Sequence, residues 1–298
     1  MVARWLGDLD GWRVDVANMT GRYKDVDVAH DVARAVRATM TAARPDALLL
    51  AEHSFDATGD LAGDGWHGAM NYAGFSVPVW QWLRDEPRLP LPHGMYPAIP
   101  RLPGANVAAA MRAFAAATPW RAVAHVMNLV SSHDTTRVAT RLGDPAHVDV
   151  ALGLLATYPG IPMIWSGDEI DMAGADGEDG RWPFPWHRPE SWDRARLGTV
   201  REFFRARAAS VALRRGGLRW LAADHDVLVF AREAPGETVV VQASRSSHPP
   251  VRLPAAMVGR QLVGLVGADD VTADVTADGD GVFTLPGDGP GVRVWVAG

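Results

Sequence analysis

Over the first 165 residues, short apolar runs alternate with stretches of helical period. Strands are predicted at 12–16, 47–51, 68–71, 125–130 and 161–165; the second is an unbroken apolar run, as a strand covered on both faces requires. Between the first two, Val28, Val32, Val36 and Met40 recur every four residues and predict a helix over 25–43 with one apolar face. Val107, Met111 and Phe114 mark a second helix over 106–117, and Asp144-Pro145 is a cap followed by proline at the first helical position, opening a third through Val148, Leu152 and Leu155. A long helix is predicted over 192–213. Strand and helix in this order predict α/β architecture with a parallel sheet and outer helices, either a β/α barrel or an open doubly wound sheet. The segment 84–103 holds six prolines and no helical period, which predicts an excursion loop. After about residue 216 the rhythm changes to strands at 226–231, 238–242 and 292–296 separated by Gly, Pro and Asp turns. A boundary at Gly216-Gly217 therefore divides a first domain, 1–216, from a small antiparallel β-sandwich, 217–298.

Three of the predicted strands end in carboxylates. Asp15 closes the first, Glu52 follows the second 37 positions later, and Asp134 follows the fourth. Retaining glycoside hydrolysis needs one ionised carboxylate to attack the anomeric carbon and one protonated carboxyl to donate to the leaving oxygen, about 5–5.5 Å apart. Arg13, two residues before Asp15 on the same strand, points the same way and stabilises its anion, which makes Asp15 the nucleophile candidate. Glu52 ends a very apolar run, where desolvation favours the protonated acid needed in the first step. Asp134 is then the candidate to face the charge that would develop on a sugar ring, and His133 the candidate donor to a hydroxyl.

These segments resemble the α-amylase superfamily of glycoside hydrolases, particularly its cyclomaltodextrinase, neopullulanase and α-glucosidase-like members. Asp10-Gly-Trp-Arg-Val-Asp15 is similar to the family's fourth-strand motif, Leu49-Leu-Ala-Glu52 to the fifth, and Asp64-Gly-Trp-His-Gly-Ala-Met-Asn71-Tyr72 to the sixth. Asn128-Leu-Val-Ser-Ser-His133-Asp134 is similar to the seventh, and the segment 159–169 to the eighth strand and its loop. The resemblance implies strands four to eight of a (β/α)8 TIM barrel followed by the β-sandwich, with Asp15 as nucleophile, Glu52 as acid/base and Asp134 as transition-state stabiliser. It further implies Arg13, His133, Asn71, Tyr72 and Trp66 as substrate-binding residues. Arg181-Trp-Pro-Phe-Pro-Trp186 is similar to a family segment whose aromatics either stack on sugars or pack on the barrel rim. The implied activity is hydrolysis of short α-glucans such as maltooligosaccharides or cyclodextrins. Transfer between α-glucans and a noncatalytic carbohydrate-binding remnant are the alternatives. The family's first three strands and its Asp-x-x-x-Asn-His motif are not matched, so the expectation is an amino-terminally truncated barrel. Its open edge favours aggregation or homo-oligomers.

Composition narrows the partners. A net charge of −6 without a basic patch argues against nucleic acid. With no cysteine there is no disulfide frame, thiolate metal site or Cys nucleophile. No apolar run reaches the roughly 18 residues of a bilayer span, and the start lacks a secretory apolar core; a cytoplasmic location is slightly favoured, but a missing amino terminus leaves secretion open. His30, His67, His125 and His147 show no zinc spacing, and the acidic run 168–179 lacks EF-hand alternation and is expected to be a solvated loop; neither metal nor organic cofactor is implied.

Overall fold

A computed structural model describes residues 2–53, 56–84, 100–259, 261–267 and 274–298. The proline-rich excursion predicted over 84–103 lies, for 85–99, outside the described residues. The chain divides into two compact units.

The first unit comprises Met1–Val77, Ala110–Leu129 and Gly160–Pro162. Besides a short antiparallel pair, Arg22–Tyr23 with Val26–Asp27, it contributes to the strands β1 (Gly11–Val14), β2 (Leu48–Ala51), β3 (Gly68–Ala69), β4 (Met127–Leu129) and β5 (Ile161–Met163). β1, β2 and β3 pair in parallel in that order, a parallel bridge from Met70 to Met127 leads on to β4, and β4 pairs with β5. Spatial order thus follows chain order. Close contact of β3 with the next strand needs glycine: a Cβ on Gly68 would lie 2.1 Å from the His125 carbonyl oxygen.

Strand alternation sorts the side chains. Trp12, Val14, Leu49 and Ala51 join a core cluster with Ala33, Met40, Trp66 and Val126. Arg13 has the opposite parity and faces away. The crossover helix α1 (Ala29–Ala43) starts later than its sequence pattern suggests, and its buried residues are Ala29, Ala33 and Met40. Val28 is exposed, and Val32 and Val36 are half-buried. Repeats of four overrun the 3.6-residue turn by about 40° each, so such a row drifts off the core-facing stripe.

The second unit comprises Pro78–Ala109, Val130–Pro159 and Met163–Gly298. Helix α2 (Pro145–Thr157) is capped by Asp144, which accepts from the Ala146 N–H at 2.9 Å, and is apolar on nearly every side. Buried arginines take up its final carbonyls: Arg207 donates to the Ala156 and Tyr158 oxygens and Arg232 to that of Thr157. The predicted helix 192–213 is interrupted. α3 (Arg194–Ala209) ends at Ser210, whose hydroxyl accepts from the Leu213 N–H and starts the short helix α4 (Val211–Arg215). Serine's preference for capping over the helix interior explains the break.

Beyond residue 216 lie β6 (Gly217–Ala223), β7 (Val227–Ala234), β8 (Glu237–Ser244), β9 (Val251–Pro254), β10 (Gln261–Val266), β11 (Val275–Thr276), β12 (Val282–Leu285) and β13 (Gly291–Ala297). Six form an antiparallel sheet in the order β11-β10-β13-β8-β7-β6, and β9 pairs with β12. Val227, Val229, Val240, Leu262 and Trp295 from the large sheet pack with Leu253, Phe283 and Leu285 from the small pair. The other face of the large sheet meets α2, where a Cβ on Gly153 would lie 2.8 Å from a Val292 methyl. No helix among the described residues is long and apolar enough to cross a membrane.

His67 completes the β2 ladder with its ring. The Leu49 N–H donates to His67 Nδ1 at 2.9 Å while the His67 N–H donates to the Leu49 oxygen at 2.9 Å. Burial, reinforced by Arg37 and His125, draws the ring's pKa from 6.5 down to about 4. The unfolded chain therefore takes up this proton first: the stabilisation is complete above pH 6.5, declines as pH falls towards about 4, and changes no further below that. His67→Asn supplies an acceptor oxygen near the place of Nδ1 without a titrating ring. Thermal scans are expected to show a shallower loss of midpoint between pH 6.5 and 4 in this variant than in the parent; equal slopes would refute the assignment.

Candidate active site

In the first unit, register brings two of the predicted carboxylates into line. β1 and β2 pair Arg13 with Leu50 and Val14 with Ala51, so the residues that follow, Asp15 and Glu52, stand at equivalent positions just beyond the two strands. Parallel neighbours run about 5 Å apart. The guanidinium of Arg13 spans both: Nη1 donates to Asp15 Oδ1 at 2.5 Å and Nη2 lies 2.9 Å from Glu52 Oε1. The two acids differ in environment. The Asp15 side chain is 72% exposed and open to a ligand, whereas that of Glu52 is 12% exposed. Glu52 Oε2 accepts from the Val16 N–H at 2.6 Å, so each of its oxygens has a donor. Val16 has left-handed backbone, φ 45° and ψ 42°. For a β-branched residue this costs on the order of 1–3 kcal/mol.

Also in the first unit, Asn71 Oδ1 accepts from the Gly74 N–H and its Nδ2 donates to Asn128 Oδ1 at 2.8 Å, which fixes the turn after β3. Tyr72 is buried, and Trp66 lies in the hydrophobic core cluster.

His133 and Asp134 belong to the second unit. Asp134 Oδ2 lies 3.1 Å from His133 Nε2, and its Oδ1 accepts from Arg181 Nη2 at 3.1 Å. Arg181 Nε donates to the His133 carbonyl at 2.9 Å. The sequence singled out Arg181 only through the aromatic segment it opens; the tertiary structure makes it the clamp of the His133-Asp134 loop. Trp182 and Trp186 of that segment are exposed, with Trp186 packed on Phe184 and Trp192.

Beneath that loop is a group that the sequence placed wrongly. Asp168, expected in a solvated acidic loop, is fully buried: it accepts from the Ser131 hydroxyl and from Arg137 Nη1 at 3.1 Å. Burial pushes its carboxyl up to about 7, with Ser131 and Arg137 pulling the other way. Arg137 also donates to the carbonyls of Gly180 and Ser166 and lies over the Trp165 ring, which packs 5.9 Å from His133. Acids later in the run, Asp176 and Glu178, are exposed as expected. No local signal separates Asp168 from them, because its partners come from 31 and 37 residues earlier in the chain.

Comparison with known proteins gives this arrangement a context. A model of the alpha-amylase catalytic domain matches residues 1–207. A cyclomaltodextrinase from Geobacillus thermopakistaniensis is 29% identical over 271 residues, covering 90% of this chain and 42% of the relative. Neopullulanase 2 from Thermoactinomyces vulgaris is 32% identical over 224 residues, covering 75% of this chain and 34% of the relative. The chain thus spans less than half the length of these curated relatives. Among solved structures, the native form of the Nostoc punctiforme debranching enzyme superposes with a TM-score of 0.84 at 25% identity, covering 99% of this chain and 60% of that one. The ligand-free cyclic alpha-maltosyl-(1-->6)-maltose hydrolase of Arthrobacter globiformis superposes with a TM-score of 0.75 at 25% identity, covering 99% and 58%.

Burial separates the Arg137–Asp168 and Arg181–Asp134 ion pairs of the second unit. Arg137→Met strands the buried Asp168 carboxyl and is expected to cost about 3–5 kcal/mol in urea unfolding. Arg181→Ala removes a pair whose arginine side chain is 43% exposed and should cost less than about 1 kcal/mol. Equal costs would contradict this ranking.

Proposed function

The chain belongs to the alpha-amylase catalytic-domain family, and from that footing we propose that it acts as a retaining α-glycoside hydrolase on short α-glucans such as maltooligosaccharides or cyclodextrins. The observation that carries this reading is the pairing of β1 with β2, which lines up Asp15 with Glu52 at strand ends while Arg13 touches both. A separation of about 5 Å between neighbouring strands suits the carboxyl spacing of retaining rather than inverting enzymes, because it leaves no room for a water on the opposite face of the sugar.

In this reading Asp15 attacks the anomeric carbon as Glu52 transfers a proton to the departing glycosidic oxygen, leaving a glycosyl ester on Asp15. Glu52, now a carboxylate, takes a proton from water, whose oxygen attacks the same carbon and releases Asp15. Two inversions give net retention. Arg13 orients both acids through its contacts with Asp15 and Glu52, and the Val16 N–H holds the second oxygen of Glu52. We assign Asp134 to the positive charge that develops on the sugar ring and His133 to a hydroxyl contact. Burial favours a positioning part for Tyr72 and Trp66 over direct sugar contact, and the hydrogen bonds that tie Asn71 to Gly74 and Asn128 favour the same part for it. The chain order of β1 to β5 supports reading them as barrel strands four to eight, and the antiparallel sheet that starts at Gly217 supports taking residues 1–216 as barrel and 217–298 as sandwich.

A 5-fluoro α-glycosyl fluoride is expected to leave a covalent adduct on the peptide carrying Asp15, detected by mass spectrometry and absent in Asp15→Asn. With an aryl α-maltooligosaccharide, the first product should be the α anomer by NMR, and Asp15→Asn should lower turnover by roughly three orders of magnitude or more. An adduct elsewhere, or a β-anomeric first product, would overturn the assignment.

A further inference from the structure

The turn that follows Asp15 breaks the strand ladder by one residue. In the parallel pair, Leu48 N–H donates to the Asp10 oxygen and Glu52 N–H to the Val14 oxygen at 2.9 Å. The next rung of a regular ladder would run from Val16 N–H to the Glu52 carbonyl. That carbonyl instead accepts from Ala17 N–H at 3.1 Å, and the displaced Val16 N–H goes to the Glu52 side chain at 2.6 Å. The left-handed backbone of Val16 makes the exchange.

Nothing in the Val16 side chain calls for that conformation. Of the three non-glycine residues at positive φ among the described residues, Val16 alone is β-branched, and it is 48% exposed. The strain therefore does not come from burying its isopropyl group. What it secures is a peptide N–H aimed at Oε2, while Arg13 holds Oε1.

We propose that the Val16 peptide is a positioning group for Glu52: its strained turn shifts the ladder by one residue and so releases an N–H that fixes the acid/base carboxyl beside Asp15. This rests on the activity proposed above. The group is the backbone amide, so the side chain at position 16 is replaceable while the N–H is not. Arg13, which contacts Glu52, and Asp15, which stands beside it by register, are unchanged in every variant below.

The test is NMR on the full chain, labelled with ¹⁵N-valine and with ¹³C at the glutamate carboxyls, Glu52 being assigned with Glu52→Gln. In the parent, the Val16 amide resonance should follow the protonation of Glu52, and Glu52→Gln should abolish that response. Replacing Val16 with α-hydroxyvaline changes the amide to an ester and keeps the side chain. It is expected to raise the Glu52 protonation constant about tenfold, as loss of a hydrogen bond to a charged acceptor requires. Val16→Gly keeps the N–H and accepts positive φ, and should leave the constant within about twofold. An amide resonance indifferent to Glu52, or an ester that lowers the unfolding midpoint without moving the constant, would show that the turn merely ends the strand. If the ester variant does not fold, the parent against Glu52→Gln decides. Failure of the fluoride adduct on Asp15 with these NMR results intact would count against the activity and not against this contact.

Discussion

The first unit depends on the register of two parallel strands. Because β1 and β2 pair with a fixed offset, whatever follows one strand is matched with whatever follows the other, and here both followers are acids. A slip of one residue would reverse the parity of every side chain on the slipped strand. If β1 slipped against β2, Trp12 and Val14 would leave the core and Arg13 would enter it, while Leu49 and Ala51 stayed. The packing of α1 against the apolar face is thus also what presents the polar one. Stability and chemistry share a single constraint.

That constraint has a local cost at its outlet. Beyond Val14 the chain leaves the ladder through a left-handed valine, and the resulting hydrogen bonds go to Glu52 twice, at its carbonyl and at its carboxylate. Arg13 adds a third contact. A carboxyl this enclosed keeps one geometry because its donors sit on backbone and on a neighbouring strand, not on a mobile loop.

The second unit orders its polar loop differently. Asp168 and Arg137 are a buried ion pair whose remaining hydrogen-bonding capacity is spent on Ser131 and on the carbonyls of Ser166 and Gly180. Burial of this kind is tolerable only when most donors and acceptors are matched. It ties 131–137 to 166–181, and Arg181 then reaches Asp134 and the His133 carbonyl from the far end of the same segment.

What the sequence determined by itself was whatever rests on local period and spacing. Alternation marked the strands, the Asp144-Pro145 cap marked the start of α2, and Asp15, Glu52 and Asp134 could be picked out because each follows an apolar run. Only the tertiary structure decided which groups meet. α1 buries Ala33 rather than Val28 because the core selects a stripe of 3.6-residue period. Asp168 is buried and Asp176 is not because Ser131 and Arg137 reach the one and not the other. Val16 takes a conformation its own propensity opposes because a carboxylate 36 residues away accepts its N–H. Each of these outcomes is fixed by partners distant in the chain, and a pattern read along a few neighbouring residues carries no information about them.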